Sequence, residues 1–122
     1  SKVLDKAFLE SVFPPERTEA FFDALFGGAE EGAYDIVLVC RSEGEGKAEL
    51  AFELHQRPGK CLACNLTEVF QRHPILNVAG VARAVAEKLG WPGDKVRWWL
   101  GHTEEVSRSL HVIPLYLERT AD

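Results

Sequence analysis

The stretch Lys47–Gln56, "KAELAFELHQ", constrains the fold of this chain more than any other. Leu50, Phe52 and Leu54 fall on alternate positions, and Glu49, Glu53 and His55 fill the positions between them. Successive side chains of a β-strand point to opposite faces, so the segment has one apolar and one polar face. That is the pattern of an antiparallel sheet with one side on a core and the other in water. A parallel sheet, covered on both sides, reads instead as a continuous apolar run. The preceding run "YDIVLVCR" is rich in β-branched residues and leads into "SEGEG", where Gly44 and Gly46 bracket a hairpin turn. Near the C-terminus a second hairpin is expected. "KVRWWLG" places Val96, Trp98 and Leu100 on one face and Arg97 and Trp99 on the other. "SLHVIPLYLER" alternates likewise, with Pro114 marking an edge strand or a bulge, and "GHTEEVSR" is the loop between them.

The remaining segments follow helical spacing. In "SKVLDKAFLESVF" the apolar positions are Val3, Leu4, Ala7, Phe8 and Val12. In "FPPERTEAFFDALFGG" Pro14 and Pro15 start a helix, and Glu16 and Glu19 sit near its positive end. Ala20, Phe21, Leu25 and Phe26 supply its buried face, and Gly27 and Gly28 end it. "NLTEVFQR" is a short helix with Asn65 and Glu68 at capping-box spacing, broken by "HPILN". Asn77 caps the last helix, "VAGVARAVAEKLG", whose stripe is Val78, Val81, Ala82, Val85 and Leu89, and Gly90 and Pro92 close it. The order α-α-β-β-α-α-β-β predicts a single α+β domain over residues 1–122. Its antiparallel sheet has about four strands in two hairpins, with helices packed on one face.

The 122 residues, 46% hydrophobic and 27% charged, suffice for one core without disulfides or metal as staples. No apolar run approaches the ~18 residues of a membrane helix, and "SKVLDKAFLE" lacks the core of a signal peptide, so no membrane partner is expected. The chain contains no Met, which suggests trimming at Ser1. A net charge of −5, with acids in pairs and no Lys/Arg stripe, repels phosphate and argues against nucleic acid. Three cysteines, an odd number, speak against a disulfide framework and for a reducing, cytoplasmic compartment.

The most chemical short run is "RPGKCLACN". Cys61 and Cys64 have the spacing that lets two thiolates hold one Zn²⁺ from a single turn, and His55 and His73 are the nearest further ligands. The pattern H-x5-C-x2-C-x8-H matches no standard zinc-finger spacing. A dithiol at a helix start, with Lys60 beside Cys61, would also favour thiolate and reversible disulfide chemistry. The β-α-β surroundings of a thioredoxin-like motif are missing, however, and the dipeptide between the cysteines is Leu-Ala. The third reading is a structural junction between the first hairpin and the helices. Cys40, at the end of an apolar strand, reads as a small core residue. Hydrolytic motifs are absent, and His102, Glu104 and Glu105 with Ser107 and Ser109 read as a solvated loop, so the chain is expected to have no catalysis of its own. Adjacent tryptophans on a strand face opposite ways, so one of Trp98 and Trp99 points away from the helix-covered face unless both faces are covered. Trp99, together with Arg97, is there an anchor for a protein partner or a homodimer, the alternative being that the N-terminal helices or a long side chain cover it.

In "FPPERTEAFFDALFGGAEEGAYDI" and in "QRPGKCLACNLTEVFQRHPILNVAG" the chain resembles a small bacterial family that shares R-P-G-K-C-L-A-C-N-L-T followed by R-H-P-x-x-N. Some of its members carry the label "pancreas/duodenum homeobox protein". The resemblance covers most of the chain and implies no particular activity. Members of that family have a few more residues between Thr67 and Glu68, so the spacing to His73 departs from theirs. The label's meaning does not fit this sequence: a homeodomain needs a basic recognition helix with an Asn, whereas Val78–Leu89 offers DNA only Arg83 and Lys88. The expectation is therefore a small soluble binding or regulatory module acting through protein contacts. The alternative is a Zn²⁺-binding or thiol-redox protein centred on Cys61 and Cys64.

Overall fold

The computed structural model describes residues 3–60 and 67–120. Helix α1 (Lys6–Val12) starts where the Asp5 carboxylate accepts a hydrogen bond from the Phe8 N–H at 2.8 Å. Helix α2 (Pro15–Phe26) begins with proline, whose missing N–H costs nothing in the first turn, and stops at Gly27 with φ 80°. After a 3₁₀ turn at Ala29–Glu31 come strands β1 (Tyr34–Gly44) and β2 (Lys47–Gln56). Helices α3 (Thr67–Arg72) and α4 (Val78–Lys88) follow, then β3 (Val96–Leu100), the two-residue β4 (Glu104–Glu105) and β5 (Leu110–Arg119). The architecture is α+β, as the sequence pattern predicts.

The two hairpins merge into one five-stranded antiparallel sheet of order β1-β2-β5-β3, with β4 also pairing to β5. The register fixes its faces. Leu38, Phe52 and Ile113 stand in one row, as do Leu50, Leu115 and Leu100. These side chains form the inner face, which carries the core. Phe52 meets Phe13 at the end of α1 (ring centroids 5.3 Å apart) and Phe70 of α3 (5.4 Å). Phe70 in turn meets Phe21 of α2 at 6.4 Å. One strand aromatic thus anchors several helices, which is why the half-apolar strand needs a helical layer on that side alone.

Three expectations need correction. The buried face of α2 is Thr18, Phe21 and Phe22, one i, i+3, i+4 stripe, and not Ala20, Phe21, Leu25 and Phe26: Ala20, Leu25 and Phe26 are exposed. The segment "GHTEEVSR" is not wholly a loop: Glu104 and Glu105 continue the line of β3 along β5, and the turn proper lies at Val106–Ser109. Pro114 is not on an edge strand, because β5 lies between β2 and β3. Its carbonyl accepts from the Gly101 N–H at 2.9 Å, so its nitrogen faces the break between β3 and β4, where no ladder donor is required.

Candidate functional site: the outer face of the sheet

The face opposite the helices carries the residues that alternation leaves polar or unaccounted for. Arg97 and Trp99 of β3 stand opposite Glu118 and Tyr116 of β5. The Trp99 and Tyr116 rings stack at 5.4 Å with an interplanar angle of 25°. The Arg97 guanidinium lies over the Trp99 ring at 5.0 Å and pairs with Glu118 at 3.2 Å. Trp99 remains 39% exposed although it is clamped on two sides. A ring held this way loses little side-chain entropy on meeting a partner, which is the property of an aromatic anchor. Beside it a groove of about 280 Å³ is lined by Ser42, Lys47, Glu49, Trp99, Tyr116 and Glu118. Trp98, one residue earlier, packs against the core. The opposite orientation of the two tryptophans is the one the sequence implies.

Across the middle of this face lies Arg41. It is the extra residue of a bulge between Cys40 and Ser42, and its guanidinium pairs with Glu49 of β2 at 3.1 Å and Glu104 of β4 at 2.8 Å. The hydrogen bond from Arg41, followed by its charge, holds the Glu104 carboxyl below the usual glutamate range despite opposing desolvation. The same bond to Glu104 leads the causes that raise the guanidinium further, so Arg41 is charged throughout. β2 and β5 separate β1 from β4, so this ion pair straps the sheet from one side to the other. Ala51 and Val112, outer-face residues of those two middle strands, are buried. Neither Arg41 nor Glu104 could be singled out from the sequence, since the pair is 63 residues apart.

The predicted metal ligands are not drawn together. His55 projects from the outer face, where its Nε2 lies 3.0 Å from the Glu53 carboxylate. His73 belongs to the helical side: its ring packs edge-on against Phe21 at 4.8 Å, and its Nδ1 accepts from the Ile75 N–H at 3.3 Å. The sheet lies between the two imidazoles. Cys61, Cys64 and the capping residue Asn65 lie outside the described residues, and among the described residues no group of His, Cys, Asp and Glu is arranged to hold a metal ion. Cys40 is half-buried at the margin of the core, with its Sγ 3.7 Å from the Ser42 carbonyl. On the helical side a second groove of about 450 Å³ runs between α4 and β3, bordered by Arg83, Glu87, Trp91 and Trp98.

No helix among the described residues is long and apolar enough to cross a membrane. Compared with protein-family models, with curated proteins and with solved structures, the chain has no match.

Proposed function

We propose that this protein is a small binding module that acts through protein contacts, with the Arg97–Trp99–Tyr116–Glu118 corner as its docking face. The observation that carries the reading is Trp99, a large side chain left 39% exposed yet braced by Tyr116 and Arg97. Trp, Tyr and Arg are the residues in which interface energy concentrates. The partner is a protein rather than nucleic acid, because the net charge of −5 opposes a phosphate backbone. The odd cysteine count supports a cytoplasmic setting. The separation of His55 from His73 favours this reading over a metal centre that uses both.

The test is affinity capture from cell extract on the immobilised chain, comparing the parent, Trp99→Ala and Val106→Ala. Val106 is an exposed residue on the distant turn and serves as the control. Proteins retained by the parent and by Val106→Ala should fall at least about tenfold on Trp99→Ala, since an anchor contributes ≥ ~2 kcal/mol. Trp99→Ala should cost the fold only about 1 kcal/mol, the worth of one exposed aromatic pair. Equal retention by all three proteins would show that this corner is not the docking face.

A further inference from the structure

The end of α4 builds a groove on the helical side of the sheet, away from the docking corner. The helix stops in a turn at Gly90, which holds φ at 78°. The Gly90 N–H donates to the Glu87 carbonyl at 3.0 Å, and the Trp91 N–H donates to the Ala86 carbonyl at 2.9 Å. This pair of bonds ends a helix at a left-handed glycine and folds the residue after it back against the last turn. Trp91 is thereby held against the core, and Trp98 of β3 packs against the same core. The two tryptophans line the groove of about 450 Å³ together with Arg83, Ala86, Glu87 and Val96. Alanine at position 86, where α4 borders the groove, leaves the space beside the strand unfilled.

The chemistry of the lining selects the occupant. The volume lies within the roughly 300–1,000 Å³ of small-molecule sites. Among the described residues the Arg83 guanidinium has no ion pair or hydrogen bond, and neither the Trp91 nor the Trp98 indole N–H has a partner. The lining side chains therefore carry a guanidinium fork and two indole N–H groups as spare donors, against one acceptor, the Glu87 carboxylate. A guanidinium fork matches a carboxylate through two parallel hydrogen bonds. The two indoles, with Val96 and Ala86, suit a flat apolar body, because aromatic rings pack offset or edge-to-face. We propose that this groove binds a small planar aromatic carboxylate, its acid group on Arg83 and its ring against Trp91 and Trp98. Glu87, one helical turn beyond Arg83, repels the acid group and so sets which way round the ligand lies. The net charge of −5 opposes a polyanion far more than a single carboxylate met by an unpaired arginine. Trp99 is on the opposite face of the sheet, so the groove and the docking corner stand or fall separately.

The test is a titration of the full chain, labelled for nitrogen–proton correlation spectra, with cinnamate, cinnamamide and cyclohexanecarboxylate. The indole N–H signals of the three tryptophans, assigned with Trp→Phe variants, report where each probe binds. Cinnamate should move the Trp91 and Trp98 signals to saturation, and both further than that of Trp99. Arg83 is exposed, so Arg83→Gln should keep the circular dichroism of the parent. It should raise the dissociation constant for cinnamate at least about tenfold, by removing the charged hydrogen bonds. Cinnamamide should bind the parent more weakly than cinnamate by a similar factor, and Glu87→Gln should bind cinnamate more tightly than the parent. Cyclohexanecarboxylate, which has the acid but no flat ring, should bind more weakly than cinnamate. The proposal is overturned by a cinnamate titration that moves neither signal to saturation, or that moves Trp99 most. Equal affinity for the acid and its amide, or for the parent and Arg83→Gln, overturns it as well. Cyclohexanecarboxylate binding as tightly as cinnamate overturns the planar ring.

Discussion

Thr18 is buried on α2 with 3% exposure, and its hydroxyl has no hydrogen-bond partner among the described residues. A buried hydroxyl without a partner forfeits the free energy of its lost hydration, about 1–3 kcal/mol, whereas a methyl of the same shape loses nothing. Thr18→Val should therefore stabilise the protein by about 1 kcal/mol and raise the melting temperature by about 3–5 °C. Thr18→Ser, which keeps the hydroxyl and deletes the methyl, should lower it. A thermal melt that falls with Val would mean that the hydroxyl is satisfied. Trp99 shows a side chain that can be read from sequence, because two adjacent strand residues must diverge and the apolar alternation of Val96, Trp98 and Leu100 settles which one goes inward. His55 and His73 show the opposite case. Their separation in the chain says nothing of which side of a sheet each will occupy.

Helix α4 illustrates how a cap can be read locally and yet carry an unforeseen cost. Asn77 is its cap, as expected, with its side chain accepting from the Gly80 N–H at 3.1 Å. It also holds φ at 48°, in the left-handed region where Asn is tolerated far better than most residues. Asn77→Ala should thus cost about 2 kcal/mol, from the lost cap and the strained backbone together, and Asn77→Gly should cost less because it relieves the strain. Urea unfolding of the two variants separates these contributions; equal losses would leave the cap alone responsible. The strands were legible where their period is unbroken, from Tyr34 to Val39 and over Lys47–Gln56. The bulge at Arg41 was not, since no glycine marks it. Nor was β4: two residues are too few to carry a period, and they are strand only because β5 extends past the end of β3.

The sheet as a whole is strapped from β1 to β4 by Arg41, and this is what gives the molecule a pH-dependent component of stability. Arg41 keeps its charge, so only the carboxylate titrates in the acid range. Its folded value lies below the ordinary 4.5 of an unfolded glutamate, with the hydrogen bond from Arg41 as the leading cause. A group whose value is lowered by folding releases its proton more readily in the native state. Its contribution is therefore fully present above about pH 4.5 and is lost as pH falls through the lower folded value. Glu104 is largely in water, and pairs of that kind contribute only about 0.2–1 kcal/mol, so the strap trims the acid limb of the stability curve and does not govern the fold. Arg41→Met keeps most of the apolar stem while deleting the charge. At neutral pH it should be less stable than the parent by up to about 1 kcal/mol. As pH falls from the ordinary glutamate value through the lower folded one the two proteins should converge, because the parent loses the Glu104 interaction by protonation. Denaturant midpoints measured along a pH series check this. A gap that stays constant into acid would assign the stabilisation to the packing of the Arg41 stem over the middle strands, and the ion pair would then be a consequence of that packing.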